Sequence, residues 1–598
     1  MRTVRLLVLI ALVLSGTALS PLTVAQAAPR VVAPRVVDPS LVTRIVGRPL
    51  SLSTTGRATF SYRANRPHEA TVPGVLFRCT LSGPGQSGTP STCPVDARSG
   101  PQTTGRITYT RLLASRRAYK FTVQAFLPRR NGRPAEVVGR ADSYLWRIFN
   151  VVARDRFLPS NGPSFNRPLS TTKRRVNLNR VIRTVDSMPG YKQAYPGLCP
   201  TDPAFSPGTI RVSLYSLFDR AFARALIRAR KRCVSVQVLM NDHLDRHTDP
   251  SWRHLEDALG TRVFTPSRTV RPHFAHRCHR ACRGGGVLHT KMYLFNSTLR
   301  DARRNRLRHV VMVGSSNMTS NAANIQYNDI FVQRGNVGLY NTFNRMFNLY
   351  RRDNGFHRNP GTTTNGVFQT TFWPQARGAA DPYMRALRAV RCTGANGGTG
   401  IRGRSVVYVN MHAWFGTRGL GLADQLRRMY SRGCYVRVLY GFMSFGVFKK
   451  LRKGTGERMS VRRTLFSRDG VTAYVYSHLK NVNISGHVGR DRSTKLVYTG
   501  SNNFTNHGLT FDEVMVRIAS GSVYNAYVKQ FRYMSRRLSS ATYANYSEPT
   551  GGGRAPRIAA RISAAERAMG ELAPPPGTPT IESDAIRVGA DGRLQAVD

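Results

Sequence analysis

Acidic residues are scarce in this 598-residue chain: 31 Asp and Glu stand against 90 Lys and Arg, a formal net charge of +59 at pH 7. That balance argues for polyanions or anionic membrane surfaces as partners, with binding weakened by salt. Lysine is scarcer still. Only 11 of the 90 basic residues are Lys, a bias that codon composition alone can produce, so charge does not choose between lipid and nucleic acid. Long apolar runs are missing too. Leu6 to Leu14 falls far short of the roughly 20 residues that cross a bilayer, and no other stretch is longer. With Arg2 and Arg5 before it and Ala25-Gln26-Ala27 after it, residues 1–27 read as a secretory signal peptide. The mature protein is therefore expected to be soluble and secreted. The eight cysteines suit that compartment, where disulfides persist.

What is present divides by pattern. The length allows about three to four domains at roughly 150 residues each, and 41% hydrophobic residues supply a substantial core. Residues 28–48, rich in Pro, Val and Arg, read as a linker. From 49 to 150 short alternating stretches are broken by Gly and Pro, as in Val75 to Leu81, Arg106 to Tyr109 and Tyr119 to Ala125. Alternation at period two predicts an all-β sandwich. It resembles the immunoglobulin-like modules of exported bacterial proteins, in which a Cys pair closes a loop before a Y-x-F-x-V-x-A strand. That resemblance implies a Cys79–Cys93 bridge and an accessory binding role. Residues 548–598, opening on Gly551-Gly552-Gly553 and carrying Pro574-Pro575-Pro576, read as a disordered tail with a short helix at 557–572.

Between 151 and 547 the chain repeats itself. Ile210–Tyr215 reads as a strand, Ala221–Arg232 as a helix and Cys233–Leu239 as a strand. Ser405–Val409, Leu422–Arg432 and Cys434–Leu439 follow the same order. Such units build α/β layers around a largely parallel sheet. Each half places a Cys upstream of its first strand, which pairs Cys199 with Cys233 and Cys392 with Cys434. Cys278 and Cys282 then form the remaining pair. The boundaries expected are 151–360 for the first half and 361–547 for the second.

Both halves continue into one polar signature. The first reads Val287-Leu288-His289-Thr290-Lys291, then Gly314-Ser315-Ser316-Asn317-Met318-Thr319, then Asn328-Asp329. The second reads Ser477-His478-Leu479-Lys480, then Gly500-Ser501-Asn502-Asn503-Phe504-Thr505, then Asp512-Glu513. In an extended chain residues i and i+2 share a face, so each His and Lys projects toward one substrate. The Gly permits a tight turn, and Ser and Asn add donors beside exposed backbone N–H groups. Two such sets brought together surround one phosphate. Lys and Asn donors stabilise charge on its oxygens, while one His attacks phosphorus and the other protonates the leaving oxygen.

These paired H-x-K and G-S-x-N elements resemble the phospholipase D superfamily. The resemblance implies two α-β-α halves related by a pseudo-twofold axis, with the active site at their seam. It implies His289 as nucleophile, forming a phosphohistidine, and His478 as general acid and then base. Lys291, Lys480, Asn317 and Asn503 would hold the phosphate, with Ser315 and Ser501 as further substrate contacts. Asp329 and Glu513 would each orient the His of the opposite half. Neither metal nor cofactor is expected, and a monomer suffices because both halves lie in one chain. The family's motif Asp is replaced by Asn296 and Ser485.

Other patterns compete. His273, His276, Cys278, His279 and Cys282 have the donor types of a zinc site, although the neighbouring arginines repel a cation. Gly394 to Gly400 follows no strand and reads as a connection, not a nucleotide loop. The leading expectation is hydrolysis of phospholipid head-group phosphodiesters. A secreted, metal-independent endonuclease of the same superfamily is the rival, and an inactive protein binding anionic surfaces is the third reading.

Overall fold

A computed structural model of the protein describes residues 35–539 and the short stretches 586–588 and 594–596. Within the first span, residues 50–51, 54, 66–73, 100–101, 116, 130–134, 149–150, 192–198, 200–205, 243–249, 304–307, 356–360, 454–455, 465 and 468–473 lie outside the description. The expected signal peptide and the helix at 557–572 also lie outside it. In the tail, Ile586–Val588 pairs with Leu594–Ala596 as a small antiparallel ladder.

The first part is all β, its strands running from Arg35 to Ile148. Alternation explains its core. Ala58, Phe60, Tyr62 and Ala64 are buried from one strand, and Tyr119, Phe121, Val123 and Ala125 from another, as a period of two requires. Phe60 stacks on Phe121 at 4.1 Å and meets Trp146 edge-on at 5.0 Å. The linker expectation needs correction. Arg35–Gly47 is a strand of this sheet, parallel to Glu136–Arg140 and antiparallel to Ala58–Asn65. Only Leu41 and Thr43 of it are buried, and Val36 and Val37 are exposed, so it shows no clean alternation. Its two neighbours make it a strand.

Beyond this part lie two mixed sheets. The first has the order Gly162–Phe165, Asp329–Arg334, Val310–Gly314, Met292–Phe295, Thr209–Leu214, Ser235–Asn241, His273–Cys278. In the second, Val514–Ala519, Asp491–Gly500, Lys480–Val488, Val406–Trp414, Tyr435–Met443 and Met459–Arg463 follow in the same relative order, with Phe368–Phe372 and Thr362–Asn365 beyond Val514–Ala519. The largely parallel sheet expected above is corrected here. In each sheet three strands run parallel through helical crossovers, and the motif-bearing strands are antiparallel. The two-residue connection between Lys480–Val488 and Asp491–Gly500 is too short for a parallel crossover, and these strands form a hairpin through Gly489 at φ 62°.

Helices cover the outer faces. Val176–Asp186, Arg220–Lys231 and Pro250–Leu259 pack on the first sheet, and Pro382–Arg388, Gly416–Ser431 and Phe445–Arg452 on the second. A further core takes residues from both sheets, among them Leu294, Val313, Val497 and Val516, with the helices Val337–Tyr350 and Gly521–Arg537. The sheets thus share one interior. Central strands are buried on both faces, all seven residues of Ser235–Asn241 and all nine of Val406–Trp414, as sheets covered on both sides require.

Four disulfides join Cys79 to Cys93, Cys199 to Cys233, Cys278 to Cys282 and Cys392 to Cys434. The last closes 42 residues around the first parallel strand of the second sheet. Replacing Cys392 and Cys434 together by Ser is expected to lower unfolding free energy by about 2–4 kcal/mol. Denaturant titration of the double variant checks this, and an unchanged midpoint would contradict it.

Candidate active site

Two short segments, each leading into a strand, carry the paired motif residues. His289 and Lys291 precede Met292–Phe295, and His478 precedes Lys480–Val488. All four side chains are fully buried. The i, i+2 spacing brings each Lys back onto its own His. Lys291 Nζ donates to the His289 carbonyl at 2.9 Å, and Lys480 Nζ lies 3.1 Å from the His478 carbonyl and 2.8 Å from His478 Nε2.

The motif glycines are fixed by close strand packing. A Cβ on Gly314 would lie 2.3 Å from the Asp329 carbonyl oxygen, and one on Gly500 2.1 Å from that of Val514. The serines that follow were expected to touch substrate, but their hydroxyls have inward partners. Ser315 Oγ donates to Asn328 Oδ1 at 2.9 Å and accepts from the Asp329 N–H at 3.0 Å. Ser501 Oγ donates to Glu513 Oε2 and accepts from the Val514 N–H at 3.0 Å. Each serine braces the residue that in turn holds a histidine.

Those residues reach across to the opposite half. Glu513 Oε1 accepts from His289 Nδ1 at 2.6 Å, and Asn328 Oδ1 lies 2.7 Å from His478 Nδ1. Asn328 Nδ2 donates to Ala322 O and Gln326 Oε1, which fixes the amide so that its oxygen accepts from His478. Asp329, expected to orient His478, does not. Its carboxylate accepts from the Ser315 N–H at 3.1 Å and from Thr499 Oγ1 and Tyr527 OH at 2.6 Å each. The reason is register. Gly314 pairs with Ile330 and Gly500 with Met515, so Asp329 occupies the place of Val514, and Asn328 that of Glu513. Successive strand residues face opposite ways, and Asp329 faces away from His478.

Backbone bonds stitch the same seam. The His289 N–H donates to Asp512 O and the Asp512 N–H to Val287 O, both at 3.0 Å. The His478 N–H donates to Tyr327 O and the Tyr476 N–H to Ile325 O, again at 3.0 Å. Each histidine is thus held by ring and backbone from the other half.

Asn317 and Asn503 each stand three residues after their motif glycine, Gly314 and Gly500. Asn317 Oδ1 accepts from the Ser216 N–H at 3.4 Å, while its buried Nδ2 has no partner among the described residues. A buried amide donor left open this way suits an incoming acceptor oxygen. On Asn503 the buried atom without a partner among the described residues is instead the acceptor Oδ1. At the family's Asp positions, Asn296 Oδ1 accepts from the Thr209 N–H at 2.9 Å and Ser485 Oγ from the Gly400 N–H at 3.0 Å; both support backbone.

Two rings at the histidines carry no sequence signal. Tyr215 meets His289 edge-on at 5.5 Å and takes Lys291 Nζ 5.4 Å from its ring centroid. His412 meets His478 edge-on at 4.4 Å, and its Nδ1 lies 3.1 Å from Ser477 O. Neither belongs to a repeated motif, and only the tertiary fold brings them in. The His/Cys cluster is a different matter. Cys278 and Cys282 are bonded to each other and offer no thiolate. His276 Nε2 pairs with Asp353 at 2.9 Å, and burial pushes His273 down to about 4.

The family described as cardiolipin synthase, PLD-like domain, matches residues 206–349. This chain carries a domain of the phospholipase D superfamily. The matched span contains His289, Lys291, Gly314 and Asn328, and the second motif set lies in the sheet beyond it. Among solved structures, polyphosphate kinase from Porphyromonas gingivalis is 12% identical, covering 82% of this chain and 78% of that one, with a TM-score of 0.40. NucT from Helicobacter pylori is 13% identical over 32% of this chain and 98% of its own, at 0.21. The phospholipase D family member Nuc from Salmonella typhimurium is 14% identical over 30% and 98%, at 0.19. Likenesses this distant decide neither the chemistry nor the arrangement of the whole chain. No curated protein matches.

Beside the phospholipase D-like seam sits Asp512, fully buried. Its carboxylate accepts from the Arg283 N–H at 3.0 Å and the Gly284 N–H at 3.1 Å, and burial holds its pKa up at about 7. A carboxyl raised in the fold stays protonated where the unfolded chain has ionised. Folding stability is therefore expected to fall, by a few kcal/mol at most, as pH rises from about 4 to about 7, and to level off above. Asp512→Asn should lose this slope. Denaturant midpoints across that range check it, and parallel profiles for the two proteins would contradict it.

Proposed function

We propose that the protein is a phospholipase D-type phosphodiesterase working through a phosphohistidine on His289. The observation that carries the reading is the unlike pair of histidine partners, Glu513 on His289 and Asn328 on His478. A carboxylate on Nδ1–H keeps Nε2 as the nucleophilic nitrogen and stabilises the positive charge that builds on the ring as it attacks. A neutral amide fixes the tautomer without stabilising that charge, which suits a group that must give up a proton.

The reaction then balances in two steps. His289 Nε2 bonds to phosphorus, the P–O bond to the leaving group breaks, and that oxygen takes a proton from His478 Nε2. Water next gives a proton to His478 and bonds to phosphorus, the P–N bond breaks, and His289 is restored. Lys291, Lys480, Asn317 and Asn503 bind the non-bridging oxygens, and this reading gives no role to a metal. The two halves are taken as related by a pseudo-twofold axis, which the matching strand order supports. The four disulfides support a secreted setting, with the N-terminal β part as an immunoglobulin-like accessory module. Phospholipid head-group esters are the proposed substrate. Nucleic acid is the second reading, which the +59 charge suits equally well, and parallel assays on phosphatidylcholine vesicles and plasmid DNA decide between them.

With a nitrophenyl phosphodiester, whose leaving group needs no protonation, His478→Ala should still form the adduct and release it slowly. With ordinary substrates the same variant should lose roughly 10²- to 10⁴-fold in turnover. His289→Ala should form no adduct. Mass spectrometry of the quenched reaction locates the phosphate. An adduct on His478 would reverse the roles, and none on any form would favour the inactive binding protein.

Activity should also persist in excess EDTA. Loss on chelation, restored by a divalent ion, would sink the metal-free mechanism.

A further inference from the structure

At the other end of the second sheet from the histidines lies a cavity of about 600 Å³, between the helix Gly521–Arg537 and the strands Val406–Trp414, Lys480–Val488 and Asp491–Gly500. Its lining residue Ser485 is five positions along the strand from Lys480, about 16 Å at ~3.3 Å per residue. We propose that this cavity is a second anion site, taking a small ligand that carries a diphosphate. Its volume is in the range of small-molecule sites.

The walls are cationic on two sides. Lys529, Arg532 and Arg536 recur at three- and four-residue steps on the helix, so they share one face, and Lys495 faces them from the strand. Arg537 adds a fifth cation, and no Asp or Glu lines the cavity. Among the described residues none of the five is in an ion pair with a carboxylate. Like charges converging without a counter-charge repel, and a bound anion relieves that cost. The general arginine excess does not explain the pattern, because two of only 11 lysines face this one cavity.

Length sets the ligand class. From Lys529 to Arg536 the helix rises about 10 Å, more than one phosphate spans. The floor is not charged. Buried Tyr408 and Tyr524 line it beside the Ser485 hydroxyl, a surface on which a compact organic group can pack. Inorganic pyrophosphate and a nucleoside diphosphate share the required chemistry.

Isothermal titration of the full chain with pyrophosphate and, separately, ADP at fixed ionic strength tests the site. Lys529→Glu/Arg532→Glu, both exposed positions, should weaken binding by about tenfold or more. A charge-matched control on the opposite face, Lys449→Glu/Arg452→Glu, should change it by less than about twofold, as should Lys480→Ala at the histidines. Tighter binding of ADP would support an organic diphosphate, and binding of pyrophosphate alone the inorganic source of the same chemistry. Equal loss in the control would overturn the site in favour of diffuse surface charge. Loss confined to Lys480→Ala would move binding to the histidines, and no binding of either probe by the wild type would end the proposal.

Discussion

Everything at the centre of this molecule depends on two hydrogen bonds that cross between its sheets, Glu513 to His289 and Asn328 to His478. Each histidine has its Nδ1 held from the opposite half. A His side chain buried this completely needs a fixed partner to hold its tautomer, and the partner must itself be held. Ser315 and Ser501 do that holding, each donating to the partner and accepting the next backbone N–H. The glycines beneath them let neighbouring strands approach to a distance no Cβ allows. The motif is therefore a scaffold for aiming imidazoles.

The two crossings are unequal, and that inequality concentrates charge. Lys291, Lys480 and Glu513 lie buried around the seam, with Asp329 and Asp512 close behind it. Burying ionised groups is costly unless each is well hydrogen-bonded. Asp329 meets this with three donors, whereas Asp512, despite two backbone N–H groups, has its pKa held up at about 7 by burial. An Asn in place of a second carboxylate on a histidine leaves one anion fewer in this cluster. On the proposed reading, a phosphodiester arriving there would bring the negative charge that the two lysines and the open Asn317 amide receive.

How much of this was legible follows from which signals are local. His289, Lys291, His478 and Lys480 stand out because their spacing is short and occurs twice. The pairs Asn328-Asp329 and Asp512-Glu513 look equivalent when matched acid to acid, yet the ladders place Asn328 opposite Glu513's role one residue earlier. A one-residue offset reverses which side chain faces the histidine, and composition cannot reveal it. Arg35–Gly47 was hidden for another reason. It is hydrogen-bonded on both edges but buries little, so its sequence lacks the alternation that betrays a strand. Tyr215 and His412 reach their histidines only through tertiary packing.

The helix Gly521–Arg537 shows why the two halves do not separate. It belongs by sequence to the second, yet Tyr527 donates to Asp329 on the strand that follows Asn328, and its ring meets Phe165 edge-on at 5.0 Å. Tyr533 lies under Arg167, a first-half residue, at 4.3 Å. One helix thus clamps the first half's strand from behind while the histidines join it in front. Cutting the chain between the sheets would expose their common core and remove both partner residues from the histidines they aim. The site is a property of the closed pair of sheets, and neither motif copy holds a correctly oriented imidazole alone.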